Sequence, residues 1–301
     1  MHSGLVDPSD RPLGPDLSSG PLAYGCWRFT TSDVSAAQSL IDTALDNGLT
    51  LVDTADVYGF DWGGTGFGAN EELLGKVLAQ APGLRDRMTL ATKGGIVPPT
   101  PYDSSEAYLT EACEASLDRL GVDVIDLYMI HRPDLFTHPA EVAATLTSLR
   151  DAGKIREVGV SNFTVDQYDA LAAHLPFPMV ANQPELSAAH LDPVRDGTLD
   201  RCMRDGVTPL AWSPLGGGSL VSGEGVRPDL LTTLDRLADR EGVDRATLAL
   251  AFVMAHPSRP VAIIGTQNPD RIASAAAASS VHLDRNDVYD IVEASEGVPL
   301  P

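Results

Sequence analysis

Four residues in the first half of the chain have side chains suited to one piece of chemistry. Asp53, Tyr58, Lys93 and His131 each lie at or just beyond the end of a short apolar run. Lys93 closes the stretch 89–93, Asp53 ends Leu51-Val52-Asp53 and leads into Tyr58, and His131 ends the run 125–131. A tyrosine alone is a weak acid, with an ordinary pKa of about 10. An ammonium group within a few ångströms favours the phenolate and draws that value down. Lys93 supplies such a charge. A lysine buried at a strand end needs a counter-ion, and Asp53 is the natural one. His131 can donate a hydrogen bond that orients a carbonyl. Together the four could protonate an alkoxide as it forms during hydride delivery, and none of this needs a metal. Taken singly they fit duller roles: Asp53 as a loop anchor, Tyr58 as packing, Lys93 as a surface residue or a Schiff-base nucleophile of the aldolase type.

The elements that must position these residues are legible as alternation. Strand-like apolar runs occur at 22–27, 50–55, 88–94, 124–131, 157–163, 179–185, 208–215 and 261–266. Helically spaced segments lie between them, at 33–48, 70–80, 104–120, 139–152 and 164–174. Their openers are Asp33, Asn70 with Glu71, the Ser104-Ser105-Glu106 run, Pro139 with Glu141, and Thr164. Gly48, Gly121 and Gly153 fall where helices should stop. Strands alternating with helices imply a parallel sheet, and eight units over 301 residues fit a closed (β/α)8 TIM barrel. An extra helix is expected before the last strand, because 229–256 holds two, and a C-terminal helix is expected near 284–295. The Gly-x-Gly-x-x-Gly turn of a doubly wound sheet is missing after the first strand. Residues 1–20, rich in Pro, Gly, Ser and Asp, read as an exposed lead-in, and 21–301 as a single barrel domain. In such a barrel the active site lies at the C-terminal ends of the strands, where the four chemical residues fall.

Composition narrows the partners. A formal net charge of −21 would repel nucleic acid and anionic membranes. Cys26, Cys113 and Cys202 are too far apart for a zinc or redox motif, and the remaining histidines, His138, His174, His190, His256 and His282, show no ligand spacing. No secretory leader precedes the first strand, and the apolar run 248–255 is too short for a bilayer. The expectation is a cytoplasmic protein that acts on a small molecule.

The motifs around the four residues carry a resemblance. Asp53-Thr-Ala-Asp-Val-Tyr58-Gly59, Thr92-Lys93-Gly94, Ser116-Leu-Asp-Arg-Leu-Gly121 and Asp126-Leu-Tyr-Met-Ile-His131 resemble the aldo-keto reductase family. So do Gly153-Lys-Ile-Arg-Glu-Val-Gly-Val-Ser161-Asn162, Asn182-Gln183-Pro184 and Trp212-Ser-Pro-Leu-Gly216, in order along nearly the whole chain. The resemblance implies Tyr58 as general acid, Lys93 and Asp53 as its tuning pair and His131 as the orienting residue. It implies a nicotinamide cofactor held without a Rossmann fold, with Gly25, Cys26, Trp27 and Asp53 bordering it. A carbonyl or alcohol is the implied substrate. A channel-associated regulatory subunit that binds the same cofactor is the alternative within that resemblance.

The remaining cofactor positions also read physically. Ser161, Asn162 and Gln183 offer hydroxyl and amide groups suited to a carboxamide. Trp212, where the family usually has Tyr, offers a face for the nicotinamide ring. Ser213, Pro214, Leu215 and Gly216 begin a turn whose small residues leave backbone N–H groups free for a pyrophosphate. Gly265, Thr266, Gln267 and Arg271 are the candidates for the adenosine end, with Arg271 the obvious cation for a 2′-phosphate. NADPH is therefore the expected preference, with NADH usable. Trp27, Trp62 and Phe67, with Tyr58 and His131, are expected to wall the substrate pocket.

Overall fold

The computed structural model describes residues 4–60 and 62–301. Eight parallel strands close into a barrel in sequence order: β1 Leu22–Gly25, β2 Leu51–Asp53, β3 Thr89–Gly94, β4 Ile125–Ile130, β5 Ile155–Ser161, β6 Ala181–Gln183, β7 Thr208–Ala211 and β8 Val261–Ile264. β8 closes the ring on β1 with Ile263 opposite Ala23. Most strands are shorter than the apolar runs that mark them, while β5 starts two residues before its run. The run 208–215 leaves the sheet after Ala211 because Ser213 turns at φ 49°.

Helices surround the barrel. The longer ones are α1 Val34–Asp46, α2 Ala69–Gln80, α3 Glu106–Leu120, α4 Pro139–Asp151, α5 Val165–Ala172, α6 Thr198–Asp205, α7 Pro228–Glu241, α8 Arg245–Met254, α9 Pro269–Ala275 and α10 Arg285–Glu296, with single turns at Asp192–Arg195 and Ser219–Ser222. The pair α7 and α8 precedes the last strand, and α10 follows the barrel. Most starts are side-chain caps that satisfy otherwise free N–H groups. Asp33 caps α1, Ser105 caps α3, and Thr164 forms a capping box with Gln167 on α5. α2 differs. Its N-cap is Gly68 in a left-handed conformation, and Asn70 and Glu71 are buried instead of capping. Among the described residues no helix is long and apolar enough to cross a membrane.

The N-terminal segment corrects the expectation of an exposed lead-in. Arg11–Pro12 pairs antiparallel with Ser18–Ser19, and the Leu13 side chain is fully buried among the residues that fill the barrel. Thr89 Oγ1, at the start of β3, donates to the Ser18 carbonyl at 3.0 Å, and Thr208 Oγ1, at the start of β7, donates to the Pro12 carbonyl at 2.6 Å. The hairpin therefore plugs the N-terminal end of the barrel. Only the opposite end remains for chemistry.

Candidate active site

Period-two alternation decides which side chains face the barrel interior. Leu51, Ala91, Leu127, Met129, Ala181 and Leu210 belong to the apolar cluster that fills it. Asp53, Lys93, His131, Gln183 and Trp212 each follow one of these by two residues, so strand geometry carries all five to the C-terminal mouth. The intervening residues Val52, Leu90 and Tyr128 face the helices.

At the mouth, Lys93 is fully buried and spends its ammonium hydrogens on three oxygens. Nζ donates to Asp53 Oδ2 at 2.8 Å, to the Thr54 carbonyl at 2.7 Å and to Tyr58 Oη at 3.3 Å. The other Asp53 oxygen, Oδ1, accepts from Gln183 Nε2 at 3.0 Å. Burial pulls the lysine pKa down, but Asp53 and Tyr58 outweigh it, and the net shift is upward. Lys93 thus stays an ammonium, as a Schiff-base nucleophile would not.

Tyr58 is half-buried, and its ring meets His131 edge-on with centroids 5.7 Å apart. The Lys93 charge draws the phenol pKa down, as expected, but it is not the largest influence. Burial raises it more than the Lys93 charge lowers it, and Asp53 adds to the rise. The hydroxyl is therefore held protonated at neutral pH. Burial, with the Lys93 and Arg132 charges, pushes the His131 imidazole well below its usual value, so the ring is neutral. Its Nδ1 is buried with no partner among the described residues. Arg132 was not singled out in the sequence. It lies 5.7 Å from the Trp212 ring and has no carboxylate partner among the described residues. Its place beside His131 was the available signal.

A second set lies across β5–β7. Trp212 Nε1 donates to Asn162 Oδ1 at 2.9 Å, Asn162 Nδ2 donates to Ser161 Oγ at 2.8 Å, and Ser161 Oγ donates to the Gln183 carbonyl at 3.0 Å. Asn162 holds φ 58°, an uncommon conformation for a non-glycine residue, and this bond chain fixes it. After Ser213, Pro214 and Leu215, the residues Gly216–Gly218 all take positive φ, and a Cβ at Gly217 or Gly218 would meet nothing within 4 Å. Arg28 spans the mouth to this turn, donating from Nη2 to the Gly217 carbonyl at 2.9 Å. Its guanidinium also lies 5.5 Å from Trp27 and 5.0 Å from Trp62.

Two sequence-level placements change. Cys26 is fully buried, its carbonyl accepts from Asn70 Nδ2 at 2.6 Å, and its thiol lies within electrostatic range of Asp53, Lys93 and Tyr58. Gly25 ends β1 opposite Asp53. Phe67 lies 5.9 Å from the Arg119 guanidinium, on the α3 side, while Trp27 and Trp62 pack together with centroids 5.1 Å apart. In the turn after β8, Gln267 Nε2 donates to Tyr24 Oη, and Asn268 Oδ1 caps the N–H groups of Asp270 and Arg271. The donors there are fewer than expected. Beyond Gly265, Thr266 and Gln267 keep partial capacity, and Arg271 is exposed without a carboxylate partner among the described residues.

The family model for the aldo/keto reductase family matches residues 21–296. The chain belongs to the aldo-keto reductase family. A 6-dehydroglucose reductase of Novosphingobium aromaticivorans is 48% identical over 300 residues, covering 98% of each chain. A 6-dehydroglucose reductase of Agrobacterium fabrum is 37% identical, over 93% of this chain and 95% of that one. The crystal structure of the thermostable aldo-keto reductase Tm1743 with the inhibitor epalrestat superposes with a TM-score of 0.82. It is 27% identical and covers 95% of this chain and 99% of the other. This aldo-keto reductase is an oxidoreductase of carbonyl and alcohol groups, from a family that uses nicotinamide cofactors. A regulatory subunit with little turnover is not the reading its relatives support.

Proposed function

We propose that this chain reduces the aldehyde group of a sugar-like substrate, using NADPH in preference to NADH. The observation that carries the reading is the buried Lys93 ammonium bridging Asp53 and Tyr58, with a neutral His131 against the Tyr58 ring. The donors at the mouth fit the cofactor. Ser161, Asn162 and Gln183 present hydroxyl and amide groups to a carboxamide, and Trp212 offers an indole face; in the Gly216–Gly218 turn the Gly216 and Gly218 N–H groups donate to the Ser213 and Leu215 carbonyls, which leaves the Gly217 N–H for a pyrophosphate. When bound, a reduced nicotinamide supplies hydride.

The protein's own part is orientation and proton transfer. His131 Nε2–H holds the carbonyl oxygen. Tyr58, protonated at neutral pH, delivers its hydrogen to that oxygen as negative charge develops, and Lys93 at 3.3 Å stabilises the phenolate left behind. Asp53 keeps Lys93 charged, and Gln183 keeps Asp53 in place. Arg271, the exposed cation beside the β8 turn, favours a 2′-phosphate by a charge-assisted bond of about 1.5–3 kcal/mol.

The sugar reading rests on the names of the two relatives and on the paired indoles of Trp27 and Trp62, whose flat faces suit the C–H face of a sugar ring. A cytoplasmic location is supported by three free, buried cysteines. Initial rates of cofactor oxidation test the assignment, with a hexose bearing an aldehyde at C6 set against simple alkyl aldehydes, ketones and quinones. The hexose should give the highest kcat/KM. A preference for alkyl aldehydes would reject the sugar, and a borohydride-trapped adduct on Lys93 would reject the mechanism.

A further inference from the structure

Behind the Tyr58 turn lies a second buried polar cluster that the reduction does not use. Asp56 is fully buried, two residues before Tyr58, and its backbone N–H donates to the Lys93 carbonyl at 3.0 Å. Its side chain points away from the mouth. Tyr108 Oη, on α3, donates to Asp56 Oδ2 at 3.2 Å, while Oδ1 is buried with no partner among the described residues. The other groups that bear on it are Glu71 on α2, Arg119 on α3, Tyr128 on β4 and the Val57 backbone N–H, which favours the charged form. Glu71 is also fully buried. It accepts from Arg119 Nε at 2.7 Å and from Thr92 Oγ1 at 2.5 Å.

The cluster therefore holds two buried carboxyls and one guanidinium, and Glu71 takes the guanidinium. A second buried carboxylate without a cation of its own would cost several kcal/mol. Asp56, surrounded by the neutral hydroxyls of Tyr108 and Tyr128, is the one that must give up its charge. We propose that Asp56 is carried as a neutral carboxylic acid and acts as a positioning residue, holding the Tyr58 turn against Lys93, so that its ionisation sets the upper pH limit of reduction. The link to turnover rests on Tyr58 being the general acid; the protonation of Asp56 does not.

Electrostatics supports the geometry. Burial first, then the Glu71 charge, push the Asp56 carboxyl up to about 8, against the opposing pull of Arg119 and the Tyr108 hydrogen bond. Tyr58 itself is shifted above its ordinary value near 10, so its own deprotonation lies at higher pH. The sign follows. A carboxyl whose folded pKa exceeds its unfolded value of about 3.9 favours the fold in its protonated form. That stability is fully present below about pH 4 and is lost as pH rises through about 8.

Two experiments test this. In wild-type protein, difference infrared spectra from pH 6 to 10 should show a protonated-carboxyl stretch that disappears with a midpoint near 8 and is missing in Asp56→Asn. No such band in the wild type would overturn the proposal, whether or not the protein turns over aldehydes. The second experiment is a pH–rate profile. Wild-type kcat should fall about tenfold between its plateau and pH 9, as one ionisation near 8 dictates. Asp56→Asn, which keeps the neutral shape, should retain its plateau and fall only at the higher pH where Tyr58 titrates. Asp56→Ala should lower kcat at every pH with little change in KM. Superimposable wild-type and Asp56→Asn profiles would overturn the positioning role.

Discussion

Lys93→Met keeps an unbranched side chain of similar reach and removes the charge. In the variant the buried Asp53 carboxylate, 3% exposed, loses its 2.8 Å ion pair and keeps Gln183 at 3.0 Å. Breaking a buried pair from one side costs about 3–5 kcal/mol, because an uncompensated charge remains. An unfolding entropy of about 2.1 cal/mol/K per residue gives about 0.6 kcal/mol/K for a chain this long, so Tm should fall by about 5–8 °C. Asp53→Asn alone should cost a similar amount by stranding Lys93. The double variant removes both charges and should recover most of the loss, since neutral replacement of a buried pair is often near neutral. Thermal unfolding of the three variants and the wild type measures the coupling. Losses that simply add in the double variant would refute the buried pair. The double variant should also be inactive although folded, which separates support of the fold from support of Tyr58.

His131→Ala should reduce kcat far more than it weakens cofactor binding, because its hydrogen bond strengthens as charge develops on oxygen; stopped-flow turnover beside a binding titration measures both, with activity unchanged by exhaustive chelation. The imidazole lies well below its usual pKa, so its neutral form should persist as pH falls through 6.5, and below that point it contributes a loss of stability as the unfolded chain takes up the proton first, opposite in sign to the Asp56 contribution; the stability slope of wild type between pH 6.5 and 5 should therefore differ from that of His131→Ala, and identical slopes would contradict this. Arg271→Ala should weaken NADPH by about tenfold, worth about 1.4 kcal/mol, and leave NADH almost untouched; tryptophan-fluorescence titrations with both cofactors would show it.

The barrel was legible because its strands are apolar runs, several of them followed or closed by a polar residue, and period-two alternation then places Asp53, Lys93, His131 and Gln183 on one side. Helix starts with a capping side chain, such as Asp33 and Thr164, were legible for the same local reason. The α2 start was misread. Asn70 and Glu71 look like caps, but long-range partners, the Cys26 carbonyl and Arg119, claim their side chains. The N-terminal hairpin was hidden because its two-residue strands of Arg, Pro and Ser show no alternation, and what buries Leu13 lies far along the chain. The lowering influence of Lys93 on Tyr58 was legible, but the net upward shift was not, because an adjacent charge is visible in a sequence and the extent of burial is not. Asp56 escaped for the same reason, since only the fold reveals that Glu71 takes Arg119.

Single-turnover reduction of a C6-aldehyde hexose by NADPH, compared between wild type and Tyr58→Phe, tests the central claim most directly. The substitution keeps the ring and removes only the hydroxyl that Lys93 approaches at 3.3 Å. The account predicts rapid reduction by the wild type, a rate lower by about 10²-fold or more in Tyr58→Phe, and unchanged NADPH affinity. Near-normal reduction by Tyr58→Phe with cofactor bound would contradict the assignment of Tyr58 as the proton donor.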